Sequence, residues 1–353
     1  MRSDVPLAPF TSFAVGGAAE RLASCDTTDE LRSVLASTAD EQLWTLGYGA
    51  NVLIADTGLP GTTVLVRSHT VTRKGDTLIA DTGVWWDDLV QFAIREQLWG
   101  LELMSAIPGG VGAAVVGNIA AYGQAIADTL TWVEVFDRTT KEVRRLTPAE
   151  LELGYRFSAF QTEAFKRCII LRVAFALLTT ATKSLEYQTA LDVAHEKNYD
   201  LQTLDGRRKT ILDTRKAAGS LWDYRSADTQ MHTAGSFFRN PLVSDETADR
   251  LMSYDETGRT AESLRTMNRL HGGTGKRVSA AHVLLAAGFK RGQSWGPVRL
   301  HPDHILKIEN TGGATAQQIY NVSQEIVRTV RSKLDVDLIP EVRFLGNFQE
   351  TSL

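Results

Sequence analysis

The sequence predicts an α+β protein with more than one domain. The chain has 353 residues, and a single hydrophobic core stops growing at about 250–300 residues. Helix-type and strand-type hydrophobic patterns also alternate along the chain. The composition, 43% hydrophobic and 23% charged, is typical of a globular chain and argues against wholesale disorder.

The first 66 residues predict a small α+β unit. Asp26–Glu30 has the composition of a helix N-terminus, with a capping side chain and acidic residues in the first turn. Leu43–Leu46 predicts a short buried strand, and the glycine-bearing turn Gly47–Asn51 follows it. Two further strands are predicted at Val52–Ile54 and Thr63–Val66.

Elements of both kinds are predicted in the rest of the chain. Strands are expected at Thr77–Ala80, Val133–Phe136 and Cys168–Ala176, and a helix at Trp86–Glu96. Residues 179–210 are polar without a regular period, so a boundary between modules is expected near them. A strongly amphipathic helix over Gln317–Leu334 and a strand over Asp337–Phe344 complete the pattern.

Charge and composition exclude several classes of function. Lys plus Arg is 38 and Asp plus Glu is 42, so the net charge is 38 − 42 = −4, without the basic excess of a nucleic-acid binder. No apolar run approaches the roughly 20 residues of a membrane span, and residues 1–6 lack the apolar stretch of a signal peptide. Cys25 and Cys168 are too few for a disulfide framework or a metal cluster, so a reducing, cytoplasmic compartment is expected.

Two glycine-bearing segments are candidate dinucleotide turns. Gly47–Asn51 follows an apolar strand, and Ile107–Gly112 precedes a run of small residues that ends at Gly123. Glycine lets backbone N–H groups approach a pyrophosphate closely. Either segment alone is more often a simple tight turn, and neither fits the G-x-G-x-x-G pattern of a Rossmann fold.

Other local patterns are weaker indications of function. Gly272–Lys276 resembles part of a phosphate loop but lacks its spaced first glycine and its Ser or Thr, so a surface loop is predicted. His301 and His304 have no third ligand nearby, and no metal site is expected. Gly235–Pro241 places Ser236 beside two aromatic residues, but no general base can be assigned to it from spacing.

Taken together and in order, these segments resemble the UDP-N-acetylenolpyruvoylglucosamine reductase family. The resemblance extends from Thr11 to Gly346. Its five markers are Gly47-Tyr48-Gly49-Ala50-Asn51-Val52-Leu53, then Ile107-Pro108-Gly109-Gly110-Val111-Gly112 together with Asn118-Ile119-Ala120-Ala121-Tyr122-Gly123, then Gly154-Tyr155-Arg156, Ala234-Gly235-Ser236-Phe237-Phe238-Arg239-Asn240-Pro241 and Pro340-Glu341-Val342-Arg343-Phe344. Each marker is weak alone, but five such groups in the right order are hard to obtain by chance.

The resemblance implies an FAD-binding fold of the vanillyl-alcohol-oxidase type, built from two α+β subdomains, and a C-terminal α+β substrate-binding domain. The expected boundaries are residues 1–68 for the first FAD-binding subdomain, joined by residues 344–353, residues 69–212 for the second, and residues 213–343 for the substrate-binding domain.

The family reaction has two halves, in which NADPH reduces FAD and a hydride then passes to the enolpyruvyl group of UDP-N-acetylglucosamine enolpyruvate. The product, UDP-N-acetylmuramate, is a peptidoglycan precursor. By resemblance, Arg156 and Glu341 stabilise the enolate-like intermediate, with Glu341 as a donor in its protonated form, and Ser236 protonates C2.

The resemblance also implies binding residues. The cofactor-binding positions are Gly47, Tyr48, Gly49, Ala50, Asn51, Val52, Leu53, Pro108, Gly109, Gly112, Asn118, Ala121, Tyr122 and Gly123, and the substrate-binding positions are Tyr187, Lys216 and Asn240. The chain departs from the family pattern at several of its alanines, which are Ala50, Ala113, Ala114, Ala120 and Ala218. Ala50 stands where a serine is usual and Ala218 where a lysine is expected, so the affinities for FAD and for the substrate are in question.

Two alternatives remain open at this point. One is a flavin oxidoreductase of the same fold that acts on another sugar or alcohol. The other is a non-catalytic relative that binds UDP-sugars. A cytoplasmic monomer without nucleic-acid or membrane partners is expected in every case.

Overall fold

The computed structural model describes residues 1–38, 40–181, 183–226, 232–254 and 276–350. The chain divides into two compact units. The first consists of Met1–Val5, Ala19–Ala50 and Leu59–Gln230, and the second of Pro6–Ala18, Asn51–Gly58 and Met231–Leu353. The three-domain division expected above has other boundaries than these units, and it stays a prediction.

The α-helices of the described residues are, in chain order, α1 (Thr28–Ser37), α2 (Trp86–Arg95), α3 (Val111–Gly117), α4 (Gln188–Lys197), α5 (Leu204–Ala217), α6 (Asp245–Met252), α7 (Ala280–Ala286) and α8 (Ala316–Leu334). Short 3-10 helices occur at Ala8–Phe10, Glu102–Met104, Ile126–Asp128, Ala159–Gln161 and Glu163–Phe165. None of the described helices is long and apolar enough to cross a membrane.

The strands are β1 (Arg2–Pro6), β2 (Ala18–Cys25), β3 (Leu43–Leu46), β4 (Val52–Ile54), β5 (Leu59–Val66), β6 (Val71–Lys74), β7 (Thr77–Asp81), β8 (Ala120–Ala121), β9 (Gln124–Ala125), β10 (Leu130–Asp137), β11 (Glu142–Leu146), β12 (Cys168–Ala176), β13 (Leu242–Val243), β14 (Lys276–Arg277), β15 (Ser294–Trp295), β16 (Val298–Leu300), β17 (Ile308–Asn310) and β18 (Arg343–Leu345). They confirm the strands predicted before residue 177. The part of the P-loop-like segment before Lys276 lies outside the described residues.

The described residues of the first unit form two larger sheets and the two-stranded ribbon β8-β9. One has the order β1-β2-β5-β3, in which β2 and β3 both pair in parallel with β5. The other has the order β11-β10-β12-β7-β6 and is antiparallel throughout. Helix α1 packs between them in a small core that includes Leu31, Leu35 and Leu171. Its start matches the prediction, because Thr27 and Glu30 form a capping box.

A helical hairpin, α4 and α5, follows the second sheet in the first unit and was not predicted. Its apolar stripe is thin, with Ala190 and Ile211 among the few buried residues. Two arginines of α5 attach it to the rest of the unit instead. Arg207 contacts Glu102 at 2.9 Å, and Arg208 binds both oxygens of Asp87 at 2.8 Å. Ion pairs between residues so distant in sequence leave no periodic signal, so the polar segment gave no helix prediction.

The second unit is built around α8. The predicted amphipathic helix is confirmed, and its buried face includes Ile319, Ile326 and Val330. Asp56 accepts hydrogen bonds from the backbone N–H groups of Ala316 and Gln317, both at 2.9 Å. The negative charge of Asp56 at the start of α8 stabilises the helix, because the N-terminal end of the helix dipole is positive.

The strand predicted over Asp337–Phe344 is wrong over most of its length, because only Arg343–Leu345 forms a strand. That strand, β18, pairs in parallel with β4. Pro340, which has no N–H to donate, forms an isolated bridge with Phe238. The extended chain before β18 therefore contacts a neighbouring segment at single points and makes no continuous ladder.

Candidate active site

The two predicted dinucleotide turns meet in the first unit. The Tyr48 hydroxyl donates to the carbonyl of Gly83 at 2.8 Å, and a Cβ at Gly110 would lie 3.5 Å from the Tyr48 ring. Trp85 forms a backbone bridge with Gly110. The loop after β7 therefore contacts both turns, which the sequence separates by about 60 residues.

The glycines of these turns fit a ligand that approaches the backbone closely. A Cβ at Gly47 or at Gly109 would meet nothing within 4 Å, and Gly49 and Gly109 have φ values of 63° and 130°. Open space at glycine backbone is what a bound pyrophosphate requires. Pro108, beside Gly109, is half-buried.

Gly112 packs closely against the loop after β7. Its N–H donates to the carbonyl of Thr82 at 2.9 Å, and the N–H of Val111 donates to the carbonyl of Val84 at the same distance. A Cβ at Gly112 would lie 2.0 Å from the Thr82 hydroxyl oxygen. These two amides attach the start of α3 to the loop, so Gly112 supports the turn through close packing.

Arg67 is a site residue that the sequence analysis missed. Its Nη1 donates to the carbonyl of Gly47 at 2.9 Å, and its guanidinium lies 4.5 Å from the centre of the Tyr48 ring. A cavity of about 500 Å³ opens beside them and is lined in part by Trp85 and Tyr224. Burial, with a contribution from Tyr224, raises the pKa of the Tyr48 hydroxyl.

The predicted cofactor positions from Asn118 to Gly123 form a small hairpin. Ala121 in β8 pairs with Gln124 in β9, and the two turn residues, Tyr122 and Gly123, have φ values of 51° and 94°. Two positive φ values are typical of a type I′ turn. The turn therefore presents the Tyr122 side chain in a fixed direction.

Asn118 connects this hairpin with the turn that bears Arg156. Its Nδ2 donates to the carbonyl of Gly154 at 2.7 Å, and its Oδ1 accepts from the N–H of Ala127 at 3.2 Å. Asn118 itself is left-handed, with φ of 40°, at the C-terminal end of α3. Its side chain thus supports the Arg156 turn.

Arg156 is the second residue of a two-residue turn closed by Gly154 and Phe157, whose backbones exchange hydrogen bonds of 3.0 and 3.1 Å. It has φ of 51°, and its carbonyl accepts from Gln161 Nε2 at 3.0 Å. A non-glycine residue in this region costs about 1–2 kcal/mol. Such strain is found at functional sites where the surroundings enforce it.

Tyr122 and Tyr187, predicted to serve the cofactor and the substrate respectively, contact each other. Their rings meet edge to face with centroids 5.3 Å apart. The positive charge of Arg215 interacts with the Tyr122 hydroxyl, and Arg215 Nη2 donates to the carbonyl of Ser220 at 2.7 Å. Burial raises the pKa of Tyr122, and Arg215 partly offsets that rise.

Arg215, near the end of α5, is therefore a second residue that the sequence analysis missed. The residue that the sequence analysis predicts here, Lys216, is exposed at the same helix end. Arg215 differs from its neighbour in its partial burial and in its contacts, which only the folded structure shows.

The second unit brings Ser236 and Glu341 together through their backbones. The N–H of Glu341 donates to the carbonyl of Phe237 at 2.7 Å, and the N–H of Phe237 donates to the carbonyl of Leu306 at 2.8 Å. The Phe237 and Phe238 side chains are buried in the core. Ser236 is thus attached to a segment whose next two residues are fixed by packing.

Asn51 positions Glu341 as well. Its Nδ2 donates to the carbonyl of Glu341 at 3.2 Å, and its own carbonyl accepts from the N–H of Arg343 at 3.1 Å. The next two predicted cofactor positions, Val52 and Leu53, lie in β4 opposite β18. Leu53 is fully buried in the core, so its side chain serves packing.

Asn240 connects the Ser236 segment with α7. Its Oδ1 accepts from the N–H of Ala280, the first residue of that helix, at 2.8 Å, and its carbonyl accepts from Arg277 Nη1 at 2.7 Å. Asn240 therefore caps a helix that begins 40 residues later in the chain, beside its predicted contact with substrate.

Comparison with known proteins agrees with these features. The family model for the C-terminal domain of UDP-N-acetylenolpyruvoylglucosamine reductase matches residues 227–345, and a model described as an FAD binding domain matches residues 19–146. The predicted α+β fold of an FAD-binding protein is confirmed.

Whole-chain relatives carry the same description. The UDP-N-acetylenolpyruvoylglucosamine reductases of Streptomyces coelicolor and Thermobifida fusca are 33% and 34% identical to this chain, and each alignment covers 97% of it. The alignments cover 90% and 97% of the two relatives. A crystal structure of the Thermus caldophilus enzyme matches with a TM-score of 0.65 and 25% identity, over 98% of each chain. The chain therefore belongs to the UDP-N-acetylenolpyruvoylglucosamine reductase family.

Proposed function

We propose that this chain reduces the enolpyruvyl group of UDP-N-acetylglucosamine enolpyruvate, with FAD as its resident cofactor and NADPH as the reductant. The observation that carries the proposal is the backbone pairing that attaches Glu341 to the residue after Ser236. The pairing holds the Ser236 and Glu341 segments side by side in the second unit, which supports the assignment of a proton donor and of a carboxylate-stabilising group to these two residues.

The FAD, when bound, supplies the hydride that is added to the substrate. The side chains of the protein then stabilise the developing charge and donate the proton. In this proposal Arg156 and Glu341 stabilise the negative charge that develops on the substrate carboxylate, and Ser236 Oγ gives its proton to C2. Groups that are already oriented before the reaction stabilise such charge without reorganisation.

The backbone strain at Arg156 supports its assignment. Gln161 and Asn118 enforce the left-handed turn, and they leave the guanidinium on a short, closed loop. A long flexible side chain loses less freedom on binding when its backbone is already fixed. Arg156 is therefore suited to bind a substrate carboxylate with precise geometry.

The test is an anaerobic titration of the FAD-loaded protein. NADPH should bleach the visible flavin bands, and the enolpyruvyl substrate should restore them. The matched variants are Ser236→Ala and, as a control, Ser253→Ala, an exposed serine in the same unit. We expect Ser236→Ala to keep the NADPH half-reaction and to slow the substrate half-reaction by about a hundredfold or more.

Other outcomes would change the assignment. Flavin that bleaches but never returns with this substrate would favour an oxidoreductase with another acceptor. Binding of UDP-sugars without any flavin would favour a non-catalytic relative. Equal reoxidation rates for Ser236→Ala and the control would remove Ser236 from the proton-transfer step.

The assignments of Tyr187, Lys216 and Asn240 to the substrate and of the remaining turn residues to FAD belong to this proposal. So do the preference for NADPH, a monomeric state, a cytoplasmic location and the absence of nucleic-acid and membrane partners. The net charge of −4 supports the absence of a nucleic-acid partner, and the two free cysteines, both buried, support the location.

A further inference from the structure

An aromatic segment after α5 lies against the first of the two glycine turns. The Tyr224 ring lies 4.4 Å from the Tyr48 ring and 5.1 Å from the Trp85 ring, measured between centroids. Trp222 meets Trp85 at 5.8 Å. Nothing in the function proposed above uses Trp222 or Tyr224.

An ion-pair network closes the same segment onto α2. Arg225 Nη1 donates to both oxygens of Asp88 at 3.0 and 3.2 Å. Its other nitrogens, Nη2 and Nε, donate to Asp223 at 2.6 and 2.8 Å. A guanidinium shared between two carboxylates fixes the segment in one orientation. We call Trp222–Arg225 the aromatic clasp.

The clasp covers one side of Tyr48. Tyr48 is only 7% exposed and Trp85 only 3%, whereas Tyr224 is 45% exposed. Tyr224 thus presents one face to solvent and packs the other against two buried rings. Removing it would open the cavity of about 500 Å³ that Tyr48, Arg67 and Trp85 line.

Tyr48 in turn connects the clasp with the backbone of the glycine turn. It is flanked by Gly47 and Gly49, its hydroxyl is tied to Gly83, and Arg67 binds both its ring and the Gly47 carbonyl. Glycines give the turn many accessible conformations. The side chain between them therefore determines which conformation the turn keeps.

We propose that the aromatic clasp is a positioning device for the cofactor, which acts through Tyr48 to keep the Gly47–Ala50 turn in the conformation that retains FAD. The inference rests on the proposed function only in requiring that this chain binds FAD. Ala50 has no hydroxyl to donate to a pyrophosphate, and the inference explains how its turn still retains FAD, because the clasp pre-organises the backbone amides. A pre-organised site dissociates its ligand more slowly.

The test measures FAD release from the holoenzyme, followed as the rise in flavin fluorescence after dilution. We expect Tyr224→Ala to speed FAD release about tenfold, since it removes the ring contacts with Tyr48 and Trp85 and uncovers one side of Tyr48. Tyr224→Phe keeps the ring and should release FAD at the wild-type rate. Arg225→Gln should show an intermediate increase of a few-fold.

Matched controls separate the clasp from general destabilisation. Tyr254→Ala removes a tyrosine of similar exposure, 39%, in the second unit. Arg331→Gln removes an exposed arginine that also pairs with two carboxylates, Asp335 and Asp337. Both controls should release FAD at the wild-type rate. The urea midpoint of each variant, measured by far-UV circular dichroism on the holoenzyme in excess FAD, reports folding separately.

The outcomes distinguish this inference from the function itself. Wild-type protein that binds no FAD would overturn the proposed function and the clasp together. Wild-type protein that binds FAD, with Tyr224→Ala and Arg225→Gln releasing it at the rate of the controls, would overturn the clasp alone. Faster release from Tyr224→Phe as well would show that the ring contacts are not what positions the turn.

Discussion

Replacing Arg207 with methionine should destabilise the first unit strongly. The Arg207 and Glu102 side chains are only 6% and 1% exposed and contact each other at 2.9 Å. Methionine preserves most of the apolar stem but removes the charge. The Glu102 carboxylate would then stay buried without its cation, stabilised by the hydrogen bond from the N–H of Gly100.

The magnitude follows from what is lost. Removing one partner of a buried ion pair costs about 3–5 kcal/mol, because the other charge is left uncompensated. Arg207 also donates to the carbonyls of Leu201 and Lys183, at 2.9 and 2.8 Å, and each lost bond adds about 1 kcal/mol. We expect Arg207→Met to lower the free energy of unfolding by at least about 3 kcal/mol.

Urea denaturation followed by circular dichroism measures this loss, and α5 supplies its own control. Lys209→Met breaks an exposed pair with Asp205, 54% and 71% exposed, and should cost no more than about 0.5 kcal/mol. The double variant Arg207→Met with Glu102→Met removes the stranded charge and should recover about half of the loss. If Arg207→Met cost less than about 1 kcal/mol, the buried pair would not be what attaches the α4–α5 hairpin.

Three further changes have a predicted sign. Burial, reinforced by Lys307, lowers the pKa of His304 from 6.5 to about 4. The unfolded chain therefore takes up this proton at a higher pH than the folded chain, and the free energy of unfolding falls by about 3 kcal/mol as the pH drops from 6.5 to 4. His304→Gln should flatten that part of the stability–pH curve, and an unchanged slope would show that His304 does not cause it. Gly206 lies in α5, and in a helix alanine is normally more stable than glycine by about 1 kcal/mol. A Cβ at this position, however, would lie 1.9 Å from the carbonyl oxygen of Asp200. Gly206→Ala should therefore lower the melting temperature, and a higher one would refute the close approach. Phe237→Ala removes a fully buried ring and should lower the free energy of unfolding in urea by about 3–5 kcal/mol. It should also slow the substrate half-reaction, because Ser236 would be misplaced. Unchanged stability would show that the core collapses around the gap.

Sequence reasoning located the elements whose signals are local. The α8 helix repeats apolar residues at steps of three and four, and α1 begins with its own capping box, so both could be read from neighbouring residues. The β12 strand carries nine mostly apolar residues between turn signals. The hairpin α4–α5 lacked such a signal, since arginine pairs with Glu102 and Asp87 supply the attachment that an apolar face usually provides.

The Asp87 carboxylate illustrates what a tertiary contact adds. Burial acts to raise its pKa, but the Arg208 guanidinium outweighs that effect, with help from the N–H of Ala106, and the pKa falls. The residues involved come from three separate parts of the first unit. No window of sequence contains the information that sets this charge.

The sequence by itself determined the family, the order of the motifs and the residue types at Arg156, Ser236 and Glu341, because these are properties of residue identity and spacing. The tertiary structure alone decided which side chains support them, such as Asn118 at the Arg156 turn and Asn51 at Glu341. The physical reason is that a hydrogen bond or a ring contact requires two groups to lie within a few ångströms in a set direction. Partners separated by up to 290 residues, as Asn51 and Glu341 are, acquire that geometry only when the chain folds.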